Sequence, residues 1–287
     1  MTEHVIAADP RRSWVPTLPL IGAKARELRK RRTLAIVTVA FTIALPVIFY
    51  GIRLAFHLSS PSHYAPAGAP DAFATAGTLM DEFGFIIAAA LGVTAGTADL
   101  TDGMFRHLVI TGRSRVSLYL ARIPAGLSIL LPLAAAGFTV ACLVTSFLGS
   151  PLPAHQAAPS ASQMTAAGLW LELDLVIAYT VGTGLGSLMG QRTVPVILLI
   201  LLEILITPAL ADHAFPHLIN AERLIVGVAM DQLKPAALAG GITVGPGGGP
   251  RALHLPPMPA WAMAAVIAGW IIGWSILGGW KMTTRDA

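Results

Sequence analysis

Residues 34–56 run for a full membrane thickness with one charged side chain, Arg53, and nothing else constrains the fold of this chain as strongly. A helix rises about 1.5 Å per residue, so about 20 apolar residues cross the roughly 30 Å hydrocarbon core of a bilayer. Comparable runs recur at about residues 77–97, 118–148, 165–189 and 194–211, and a last one is bracketed by Trp261 and Trp280. The succession predicts an all-α integral membrane protein of six transmembrane helices. Composition agrees: 55% of residues are hydrophobic, 12% are charged and mean hydropathy is +0.70, whereas soluble domains carry about 25% charged residues. Six spans with short connections use nearly all of the 287 residues, which predicts a single transmembrane domain, 1–287. Its parts are a cytoplasmic tail and interfacial helix (1–33), a six-span bundle (34–280) and a cytoplasmic tail (281–287).

Orientation follows from Lys and Arg. Eight of the nineteen precede residue 33, and Arg106, Arg113, Arg115, Arg192, Lys281 and Arg285 mark alternate connections, whereas 57–76 and 149–163 carry none. The cytoplasmic side of a membrane collects such residues, so both termini are expected in the cytoplasm of a bacterium, with the chain in its plasma membrane. Residues 1–16 lack the apolar core of a cleavable signal peptide. Residues 17–32 alternate Leu18, Leu20, Ile21 and Leu28 with Lys24, Arg26 and the run Arg29 to Arg32, the pattern of an amphipathic helix lying among anionic headgroups. The same clustering reads as membrane orientation and not as nucleic-acid binding. Between the last two spans, 218–239 reads as one helix of mixed faces and 240–250, GGITVGPGGGP, as a flexible connector. Together they predict an external cap on the membrane surface.

The stretch 92–122, GVTAGTADLTDGMFRHLVITGRSRVSLYLAR, resembles the segment joining the second and third helices in type 2 ABC transporter permeases, a family of drug, polysaccharide and lipid exporters. The resembling positions are Asp99, Gly103, Arg106, Leu108 with Val109, Ser114 with Arg115, and Leu120, Ala121 and Arg122. The family's Pro before the Ser-Arg pair is absent here, with Gly112 nearby. The resemblance implies that this inner loop is a coupling helix that docks on a cytoplasmic ABC ATPase subunit through Asp99, Gly103, Met104, Phe105, Arg106, Leu108, Arg113 and Arg115. The loop also has the means on its own chemistry: apolar Met104, Phe105 and Leu108 can be buried in a partner while the arginines fix register. An ordinary basic inner loop remains the alternative. No G-x-x-x-x-G-K-[ST] phosphate cradle occurs, so the chain binds no cofactor itself; ATP and Mg would sit on the partner ATPase. The resemblance further implies a second permease copy, as homo- or heterodimer, and a basic interfacial helix, six spans and a long outer element before the last.

Ionisable groups at membrane depth are costly and therefore candidates for function. Glu203 lies near the middle of the fifth run and Glu172 and Asp174 lie in the fourth, so these three are the candidates for the translocation path. Glu203 either lines an aqueous or substrate-facing cavity or packs between helices as a neutral acid. Asp81 and Glu82 read as interfacial, and Arg122 and Arg192 as side chains that snorkel to headgroups. Gly182, Gly186 and Gly190 repeat every four residues, leaving one helix face bare for close packing. Cys142, the single cysteine, excludes a disulfide; six of the eight histidines fall in outer segments with no third ligand in view, so no metal is expected. The leading expectation is an exporter permease for an amphipathic or hydrophobic substrate, not an enzyme by itself. The alternative is a secondary transporter or channel using Glu203 as an ion site.

Overall fold

The computed structural model describes residues 14–101, 114–149, 158–207, 219–239 and 258–284. Among them the regular structure is helical, with no strand. Five helices are long and apolar enough to cross a membrane: Ala35–Ser59, Pro70–Leu100, Arg115–Gly149, Ala161–Met189 and Ala260–Thr284. The run expected as the fifth span forms a shorter apolar helix, Thr193–Ile206, and 208–211 lie outside the described residues. Among the described residues, five candidate spans are thus compatible with a multi-pass membrane protein.

The basic amphipathic segment is α1, Leu18–Arg29, with a Pro in its first turn. Leu20, Lys24 and Leu28 form its buried stripe, and Leu20 packs with Leu118 and Ala121. The first span is built from α2 (Arg32–Val39), a π-helical turn (Ala40–Ala44) and α3 (Leu45–Ser59). Pro46, at the start of α3, cannot donate to the turn before it, which is where the regular ladder gives way. The second span, α4, runs Pro70–Thr101 and begins well before the expected residue 77. Pro70 is tolerated in a first turn, and Asp71 beside it favours a helix N-terminus. The third span breaks once, between α5 (Arg115–Leu120) and α6 (Arg122–Gly149). The break lies where Pro124 supplies no amide hydrogen to the preceding turn.

The fourth span, α7 (Ala161–Met189), has both ends written in sequence. Ser160 and Gln163 form a capping box, and Gly190 closes the helix at φ 69°, ψ 14°, a left-handed conformation that glycine adopts without steric cost. After it come α8 (Thr193–Leu201) and a second π-helical turn (Leu202–Ile206). Then follow α9 (Ile219–Glu222), α10 (Val226–Gln232), a 3-10 turn (Ala236–Leu238) and α11 (Ala260–Thr284).

The centre of the molecule is the pairing of α4 with α7, whose other large neighbour is α11. Glycines let these backbones meet. A methyl group on Gly182 would lie 2.5 Å from the Ala89 carbonyl oxygen, and one on Gly186 would lie 2.6 Å from that of Val93. The contact is two-sided, because Gly92 and Gly96 of α4 face Tyr179, Thr183 and Ser187 of α7 in the same way. On another face of α7, Gly184 meets the Trp274 backbone of α11. Gly190, grouped with Gly182 and Gly186 on spacing, instead ends the helix.

The segment 219–239 also differs from expectation. Instead of one helix on a surface it is three short pieces, interrupted at 223–225 and at 233–235, where Pro235 stands. Val226, Val228, Ala229, Met230 and Leu238 are buried. The Trp170 indole donates to the Met230 carbonyl (2.9 Å), the Trp270 indole donates to that of Leu224 (2.7 Å), and the Leu238 side chain lies against Gly77. The element is thus set into the end of the bundle, held by indole donors that would otherwise need water.

Candidate functional site

At the end of the bundle rich in Lys and Arg, three charges meet below the surface. Asp99, near the end of α4, takes Lys24 Nζ of α1 on one oxygen and the Arg122 guanidinium of α6 on the other, the latter at 2.7 Å. Arg122 also donates to the Gly96 carbonyl (2.7 Å) and to Ser187 Oγ of α7 (3.4 Å), while Lys24 pairs with Glu27 at 2.9 Å. Arg122 and Asp99 are each 2% exposed. Tyr179 Oη donates to the Arg122 carbonyl at 2.8 Å, with the ring lying over Gly126, where a side chain would collide. One buried node therefore fastens α1, α4, α6 and α7. Arg122 is not a headgroup-seeking side chain, because Asp99 and the Gly96 carbonyl satisfy it inside the protein. Lys24 too faces inward. Arg192 turns to α4, donating to Thr97 Oγ1 at 3.3 Å.

Of the residues expected to dock an ATPase, Gly103, Met104, Phe105, Arg106, Leu108 and Arg113 lie outside the described residues. The two at the stems are described. Asp99 has its carboxylate turned inward, and Arg115 donates to the Thr283 carbonyl (3.1 Å) at the end of α11. Ser114 caps α5, accepting from the Ser117 amide at 3.4 Å. On either side of residues 102–113, Asp99 is thus held to α1 and α6 and Arg115 to α11.

Towards the opposite end, acidic side chains from several elements converge. Asp81 of α4 meets Asp174 of α7, and Asp174 in turn feels the charges of Glu203, Asp231 and Glu82. Lys234 Nζ lies 3.9 Å from Asp81 Oδ2 and 5.2 Å from the centre of the Trp170 ring. Glu203 and Asp174, chosen from sequence as separate candidates, therefore belong to one electrostatic cluster, with Glu203 carried on the π-helical turn. Such turns recur at functional sites. Asp81, read as interfacial, is a central member. Asp231 and Lys234 were not picked out from sequence, since their membership depends on 219–239 entering the bundle. Glu222, in the same segment, is fully buried and neither carboxylate oxygen has a hydrogen-bond partner among the described residues. No set of three or more His, Cys, Asp or Glu among the described residues could hold a metal ion.

Glu172 stands apart from this cluster. It lines an apolar cavity of about 520 Å3 between the first four spans.

Neither the protein-family models nor the curated proteins contain a match for this chain. Class and site are therefore defined by the fold: a multi-pass helical bundle with a buried basic node at one end, an acidic cluster towards the other and a cavity at its side.

Proposed function

We propose that this chain is the permease subunit of an ATP-driven ABC exporter, coupled to a separate cytoplasmic ATPase and working as a dimer with a second permease. The observation that carries the reading is the anchoring of the stems that flank residues 102–113. The first is held through Asp99 to Lys24 and Arg122, and the second through Arg115 to the last span. Force applied to a loop fixed at both stems moves helices as bodies, as an ATP-driven change of access requires. The resemblance of residues 92–122 to the coupling segment of type 2 exporters points the same way. The loop would dock through Met104, Phe105, Arg106 and Leu108, and the path through the bundle would use Glu203, Asp174 and Glu172.

The acidic cluster supports a second reading, a secondary transporter in which Glu203 and Asp174 carry a proton or cation. Energy source separates the two. Under the exporter reading, the Arg106→Glu variant and a 104–108 deletion insert normally but lose both ATPase co-purification and ATP-driven transport in vesicles. Undiminished co-purification and transport in both would refute the coupling assignment. Transport driven by an ion gradient without any ATPase would establish the second reading.

A further inference from the structure

The side of the bundle holds a chamber whose chemistry is more specific than its volume. Two glycines in its wall let neighbouring side chains pack closely there: a methyl group on Gly168 would meet the Phe138 ring at 2.8 Å, and one on Gly84 would reach Leu175 at 3.0 Å. The π-helical turn of the first span presents Phe41 to it, opposite Met80 and Phe138. Leu169, 68% exposed, stands at its mouth on the flank of the bundle. A volume of about 520 Å3 lies inside the range of small-molecule sites, roughly 300–1,000 Å3.

Among the described residues, Glu172 is the one charged side chain in the wall. It makes no hydrogen bond or ion pair with any of them. Glu172 therefore differs from Asp99, which has two cations, and from Asp81, which has Lys234. An unaccompanied carboxylate among apolar side chains at membrane depth is costly, and a cation brought to it relieves that cost. Phe41 and Phe138 in the wall are aromatic side chains of the kind that attract cations. The apolar walls and side opening favour a molecule that partitions into the bilayer first.

We propose that this cavity binds amphipathic organic cations, with one positive charge held at Glu172 and an apolar body lodged against Phe41, Met80 and Phe138. The substrate class rests on the transport reading above, but binding rests on the cavity alone.

The test uses the full chain in nanodiscs of zwitterionic lipid, without any ATPase, so a failure of the exporter reading leaves its outcome unchanged. Tetraphenylphosphonium binding is measured beside tetraphenylborate, which has the same shape and the opposite charge, with empty nanodiscs subtracted. The wild-type chain binds the cation in preference to the anion. Glu172→Gln, which keeps size and removes charge, weakens cation binding about tenfold, between the effects of exposed and buried pairs, and leaves the anion unaffected. Ala135→Trp, at an exposed position in the wall, obstructs the chamber and lowers binding of the cation without touching the buried core. Equal binding of the cation by wild type and Glu172→Gln, or full binding by Ala135→Trp, would overturn the proposal. Matching elution profiles in size exclusion establish that each variant is folded.

Discussion

Arg122 illustrates how a buried charge is made tolerable in an apolar bundle. Its guanidinium spreads donors over the Asp99 carboxylate, the Gly96 carbonyl and Ser187, a fork that an ammonium group cannot reproduce. Removing Arg122 leaves Asp99 with Lys24 as its remaining cation, so the cost of breaking an isolated buried pair, about 3–5 kcal/mol, is the upper bound here. Arg122→Ala should therefore lower the detergent melting temperature sharply, and Arg122→Lys should recover only part of the loss. Asp99→Ala with Arg122→Ala should be less damaging than Arg122→Ala alone, since Lys24 retains Glu27. Thermal unfolding of wild type, Asp99→Ala, Arg122→Ala and the double variant, with Arg122→Lys beside them, by size-exclusion fluorescence measures the order, and strict additivity would show that the node is not a unit. Glu203 is decided by a different pair. If its carboxylate serves a transport path together with Asp174, Glu203→Gln keeps normal extracted yield and loses transport. If it is a packing acid, Gln preserves activity and Glu203→Leu lowers yield. Yield and vesicle transport measured for both variants choose between them.

Helices here carry two kinds of glycine, and the two should respond differently to substitution. At Gly186 the neighbour is the Val93 backbone, which cannot rotate aside, so Gly186→Leu forces α4 and α7 apart. Overpacking of this kind costs typically about 1–3 kcal/mol and can cost more. At Gly190 the constraint is the left-handed backbone alone, φ 69°, and Gly190→Ala should cost about 1–2 kcal/mol while leaving the α4–α7 contact intact. A pair of cysteines placed at Gly84 and Leu175, where the Leu175 side chain of α7 lies against Gly84 of α4, in a Cys142→Ser background, reports that contact by crosslinking. Crosslinking should survive Gly190→Ala and fail in Gly186→Leu; loss in both would mean that the α7 terminus also controls the pairing.

On the scale of the whole molecule, charge is sorted along the bundle. Lys24, Arg122, Arg192 and Lys281 gather at one end, with Asp99 and Glu27 as counter-charges, and Asp81, Asp174, Glu203 and Asp231 lie towards the other, with Lys234 among them. Such sorting is what a membrane with a basic-retaining inner face selects. Single cysteines at residues 63, 153 and 247 should react with an impermeant reagent from outside, and a cysteine at 114 only after permeabilisation. External labelling at 114 would reverse the whole orientation.

The long apolar runs determined most of the helices, because a membrane span is set by local composition and length and requires no knowledge of its neighbours. The spacing of Gly182 and Gly186 was legible for the same reason: a bare face is a property of a single helix. Burial of charge was not. Lys24 reads as a headgroup-facing residue until α1 is laid on the bundle with Leu20 and Leu28 on either side of it, and Arg122 reads as a snorkelling residue until α4 brings Asp99 beside it. The acidic cluster and the side cavity likewise draw on helices distant in sequence. Residues 219–239 have the composition of a surface helix, and only the indoles of Trp170 and Trp270, waiting with unpaired donors, draw that segment into the end of the bundle. Local pattern fixes which segments can be helices in a membrane; which polar groups share one low-dielectric interior is decided by tertiary structure, because the partners that stabilise buried charges such as Asp99 and Arg122 come from other elements.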